Sequence, residues 1–88
     1  MDHRLLQRYL KAIGGGPRLG IIAYLRKHHS ASVSHIAQVI HRSVTTSSIH
    51  LSHLERLGII ERRRRGQEVF YRLSLAQHPV VKAILKEV

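Results

Sequence analysis

The sequence predicts a mainly α-helical domain that carries one β-hairpin. Apolar residues recur at helical spacing through most of the first 57 positions. Two short runs with period-two alternation follow, over residues 59–63 and 68–73. Glycine or proline stands at several of the joints. Read in order, the chain is one domain over residues 1–88 with five helices and a hairpin, α-α-(β)-α-α-β-β-α.

The first helix is expected over residues 3–13, where Leu5, Leu6, Tyr9, Leu10 and Ile13 form one broad stripe. Gly14, Gly15 and Gly16 end it, because three glycines lose too much backbone freedom to stay helical. Pro17 then suits the first position of a second helix, residues 17–27, with Leu19, Ile22, Ala23 and Leu25 or Arg26 inward and Ile21 adding to them. Residues 31–33 read as a short extended piece. Ser34 is expected to cap a short third helix that ends at Ile40 and buries Ile36, Ala37 and Ile40. His41 and Arg42 make a tight connection. Ser43 caps the fourth helix, residues 44–57, and Gly58 stops it. The hairpin tip is expected at residues 64–67, with Gly66 taking positive φ. A fifth helix starts near Pro79 and repeats the spacing of the first with Val80, Val81, Ile84, Leu85 and Val88. Such wide stripes at both ends exceed what a small core absorbs, so these two helices are expected to pair with those of a second copy.

Charge narrows the partner. Fifteen Lys and Arg stand against five Asp and Glu, a formal net charge of +10. That excess predicts attraction to a polyanion. Eleven of the cations are arginine, whose fork matches phosphate and guanine. No apolar run approaches a membrane-spanning length and no secretory leader is recognised near Met1, so a cytoplasmic protein is expected. There is no cysteine, which excludes disulfides and thiolate metal ligands. The carboxylates are scattered and no phosphate loop or nucleophile–base spacing is present, so an enzyme is not expected.

On the fourth helix, 100° per residue gathers Val44, Ser47, Leu51 and Leu54 inward, with Glu55 near the inner edge. Thr45, Thr46, Ile49, Ser52, His53 and Arg56 gather outward. That outer face has no carboxylate, as a helix entering a DNA groove requires. The arginine-rich hairpin follows at once. A helix followed at once by a basic hairpin, or wing, is a way to grip DNA at two points. The expected DNA contacts are Ser43, Thr45, Thr46, Ser48, Ile49, Ser52, His53 and Arg56 from the helix, and Arg62, Arg64, Arg65 and Gln67 from the wing. Arg64 and Arg65 are expected at its tip. Protonation of several of the eight histidines would add positive charge, and with it a pH-dependent affinity.

The chain resembles the ArsR-type winged helix-turn-helix repressors from about residue 12 to 73. The opening block matches Ile13-Gly14, Arg18-Leu19 and Ile21-Ile22. The helix-turn-helix block matches Ile36-Ala37, Ser43, His50-Leu51, Leu54 and Leu57-Gly58-Ile59-Ile60. The wing block matches Arg63-Arg64-Arg65-Gly66 and Val69-Phe70-Tyr71-Arg72-Leu73. The resemblance implies a homodimeric repressor with a recognition helix (44–57) and a wing (60–73). It implies a palindromic operator whose half-sites lie about one DNA turn apart, roughly 34 Å, or a multiple of it.

Three departures stand out. Residues 30–34, Ser-Ala-Ser-Val-Ser, lack the cysteine box of the family's metal sensors. The last helix offers only His78 and Glu87 for the family's other metal pair. Ile49 stands where a polar reader is usual, and Ser47 where valine is. His50 and His53 are spaced to clasp a metal with His35 or His41, but packing of His50 under the helix is the simpler reading; no metal or cofactor is expected. With no metal box, the inducing signal is open between none, a small molecule and a protein partner. The alternatives are a winged-helix docking module, an RNA-binding module, or a non-specific architectural DNA binder.

Overall fold

A computed structural model describes residues 16–74 together with Arg4, Lys11 and Lys82. The expected first and fifth helices, and the dimerisation residues Leu5, Leu6, Tyr9, Leu10, Ile13, Val80, Val81, Ile84, Leu85 and Val88, lie outside the described residues. Within them the fold is a winged helix-turn-helix of three helices and a three-stranded antiparallel sheet.

Helix α1 is Gly16–Lys27 and starts one residue before the proline. It buries Ile21, Ile22 and Leu25, whereas Leu19, expected inward, is 40% exposed. Strand β1 is Ala31–Ser32 and α2 is Val33–Ile40. The cap of α2 is Ser32, not Ser34: its Oγ accepts from the His35 N–H at 3.2 Å. Pairing with Phe70 holds Ser32 extended, so the chain turns helical at the next residue. His41 closes α2 in the left-handed region, φ 56°, which is uncommon for a residue other than glycine. The Arg42 N–H reaches back to the Ala37 carbonyl at 3.1 Å.

Helix α3 is Val44–Arg56. Ser43 is its cap, as the sequence indicated, with Oγ accepting from the Thr46 N–H at 3.0 Å. Gly58, φ 73°, ends it, and the Gly58 and Ile59 amides return to the Glu55 and Leu54 carbonyls. Strands β2, Ile60–Arg65, and β3, Glu68–Leu73, pair from Ile60↔Leu73 to Arg65↔Glu68. The expected four-residue tip is therefore only Gly66 and Gln67, with Arg64 and Arg65 inside the strand. Gly66 at positive φ in the first loop position makes so tight a turn feasible. The sheet order is β1-β3-β2.

One core joins these elements: Ile21, Ile22, Leu25, Ala31, Ile36, Ile40, Leu51, Leu54, Ile59 and Ile60. Leu51 and Leu54 are fully buried. Each contributes roughly 1.5–3 kcal/mol, so the inner face of α3 fixes which face looks outward. Val44, placed inward by helical period, is 49% exposed at the first turn.

Candidate nucleic-acid interface

Val44, Thr45, Ser48, Ile49, Ser52, His53 and Arg56 line one continuous surface along α3. No carboxylate is among them. Ile49 is 54% exposed, so an aliphatic side chain stands at the centre of a hydroxyl-rich strip. Thr46, expected outward, is half-buried and outside this strip, with its amide held by Ser43. Ser43 itself is exposed at the start of the helix.

Two contacts set how α3 stands on the domain. Arg18 of α1 donates from Nε to His50 Nδ1 at 3.1 Å, and its Nη2 meets His53 Nδ1. One guanidinium thus bridges His50 and His53, one helical turn apart on α3. Its donation to Nδ1 requires His50 to be neutral, with the proton on Nε2. Burial, then the charges of Arg18, His53 and Arg42, hold the His50 pKa below its usual 6.5. His53, expected to face the DNA backbone, remains half-exposed but shares Arg18. The role of Arg18 was not read from the sequence. Its signal was the unpaired His50–His53 spacing, which called for a donor without saying which of the arginines supplied it.

The second contact is the pair between Glu55 and Arg62 Nε, 3.7 Å, which links α3 to the hairpin. Both side chains are substantially exposed, so the pair orients more than it stabilises. It also turns Glu55 from the outer strip. The arginine run divides by strand alternation. Arg62 and Arg64 lie opposite Tyr71 and Val69, on the face that meets α3. Arg63 and Arg65 lie opposite Phe70 and Glu68, on the other face. Arg64 Nε donates to the Gly66 carbonyl at 3.2 Å, and the Arg65 guanidinium lies over the Phe70 ring at 5.8 Å. Gln67 is exposed at the turn.

The family model described as HVO_A0114 matches residues 16–74, the helices and hairpin above. The transcriptional repressor PagR of Bacillus anthracis is 32% identical over 77 residues, which cover 88% of this chain and 74% of PagR. The chain belongs to the ArsR family of transcriptional regulators.

Another ArsR-family relative is the cadmium resistance transcriptional regulatory protein CadC of Listeria innocua. It is 33% identical over 63 residues, 72% of this chain and 53% of CadC. The chain thus spans about half the length of that relative. Among solved structures, the homodimeric winged helix-turn-helix DNA-binding domain Mb0332 of Mycobacterium bovis superposes with a TM-score of 0.79 at 28% identity, over 96% of this chain and 74% of that one. This ArsR-family chain has no cysteine. Among its described residues, no three His, Asp or Glu side chains are grouped to hold a metal. No helix among them is long and apolar enough to cross a membrane.

Proposed function

We propose that the chain is a homodimeric repressor that binds an imperfect palindrome in double-stranded DNA. The observation that carries this reading is the α3 strip, free of carboxylates and joined through Glu55 to an arginine-rich hairpin. Thr45, Ser48, Ile49, Ser52, His53 and Arg56 enter the major groove, with Ile49 against a thymine methyl. Ser43 meets the backbone at the groove edge, and Thr46 supports that turn from the half-buried side. Arg62, Arg64 and Gln67 neutralise flanking phosphates, and Arg65, also expected there, stands on the other face of the hairpin. The end helices, residues 3–13 and 79–88, join two copies and set the spacing of the two α3 helices. PagR is a repressor and Mb0332 a homodimeric DNA-binding domain, which supports both parts of the reading. Action on the chromosome places the protein in the cytoplasm.

Fluorescence anisotropy with duplex taken from upstream of its own gene tests the proposal. A palindromic segment should bind at least about 1000-fold more tightly than scrambled duplex or structured RNA at moderate salt. Equal affinity for scrambled duplex would leave an architectural binder instead. A monomeric mass by light scattering at micromolar concentration would remove the dimer.

A further inference from the structure

The face of the hairpin turned from α3 has its own chemistry. Cross-strand register places Glu61 beside Arg72, Arg63 beside Phe70, and Arg65 beside Glu68. Where this face meets the C-terminal end of α1, there is a cleft of about 430 Å³. Arg26, His29, Arg63, Arg65, Phe70 and Arg72 line it. Four guanidinium groups therefore border one concave space. The two carboxylates of this face, Glu61 and Glu68, are not among its lining residues. Glu61 is turned to Arg72 Nε at 2.6 Å and lies 3.8 Å from Arg63 Nη2. The carbonyl end of α1 offsets a further part of the positive charge. What is left is still a surplus of cations, in a recess whose protein walls concentrate the field.

Guanidinium forks match phosphate oxygens in pairs, and their charge does not depend on pH in the working range. The space is larger than one phosphate fills and falls in the range of small-ligand sites. Phe70 supplies an apolar wall beside the cations. We propose that this cleft binds a small organic phosphate of about nucleoside-phosphate size, with its phosphates on Arg63, Arg65 and Arg72 and its organic part against Phe70. The site faces away from the Arg62 and Arg64 side, so it stands apart from the DNA grip and does not rest on it.

Calorimetric titration of the full chain with ATP and with pyrophosphate, without magnesium, tests this. ATP should saturate at one per chain. Arg63→Gln and Arg65→Gln should each weaken it about fivefold or more, and Arg64→Gln, on the opposite face, less than about twofold. Phe70→Leu should remove the advantage of ATP over pyrophosphate. Absence of saturation up to about 5 mM ATP, a scale at which even weak sites fill, would overturn the proposal. So would equal losses from Arg63→Gln and Arg64→Gln, which would mean charge without a site. A duplex DNA that displaces ATP, together with an Arg63→Gln loss of duplex affinity equal to that of Arg64→Gln, would assign the phosphate to the DNA backbone and overturn the small-ligand site.

Discussion

Helix α3 and the hairpin lie side by side, yet they are held in different ways. The hairpin is positioned by its own register and a two-residue turn. Its arginines project from a ladder that no single side chain determines. Helix α3 depends on distant parts of the chain: the core residues that receive its Leu51 and Leu54, and Arg18 across on α1. The hairpin therefore tolerates a change of charge with little change of shape. The helix transmits changes made behind it to the strip it presents.

Ile49→Glu should give the largest effect on function with the smallest on the fold. A carboxylate at the centre of the strip faces DNA phosphates, at a cost of about 3 kcal/mol or on the order of 100-fold in duplex affinity. Anisotropy reads the loss, while the urea midpoint should stay near wild type because the site is exposed. Arg18→Gln attacks the helix from behind. Loss of the charged bonds to His50 and His53 should lower stability by about 1–2 kcal/mol, read by urea denaturation. It should also shift sequence preference, although Arg18 is not in the strip.

Arg64→Gln provides the hairpin counterpart. Affinity should fall about equally on all duplexes, and the slope of log K against log salt should drop by about 2 per dimer. If sequence preference changed as much here as in Arg18→Gln, the contrast between helix and hairpin would be wrong. Ser47→Ala probes the buried side of α3. Ser47 is fully buried and its Oγ has no hydrogen-bond partner among the described residues. Removing the hydroxyl should raise stability by about 1 kcal/mol in the same denaturation experiment.

The smallest effect is pH-dependent. The folded His50 has a pKa below 6.5, so on acidification the unfolded chain takes up a proton first. Stability should therefore fall as the pH drops below about 6.5, and the fall should be smaller in His50→Gln. Urea midpoints at neutral and mildly acidic pH measure both. An unchanged pH slope in His50→Gln would remove His50 as a source of the dependence.

Local features were legible in the residues because local energetics produce them. Ser43 and Gly58 bound α3 since cap chemistry needs only neighbours within one turn. The alternating run of residues 68–73 specifies a strand, and Gly66 specifies the turn. The misplaced cap of α2 shows where this stops. Ser32 and Ser34 are equivalent by composition, and pairing with Phe70, 38 positions away, selects Ser32. The same holds for the arginines. Alternation foretells that neighbours point oppositely, but the packing of Tyr71 and Leu73 on the core decides which pair meets α3 and which borders the cleft.

Charge, the limits of α3, the hairpin and the family blocks were thus present in the linear order, since each depends on residue type or on neighbours within a few positions. The Arg18 bridge to His50 and His53, spanning 32 and 35 positions, was not. Nor was the recess between α1 and the outer hairpin face. Both depend on the angles at which α1, α3 and the sheet close over Ile21, Ile22, Leu51 and Leu54. Those angles follow from the joint packing of side chains brought together from separate elements, which no local pattern encodes.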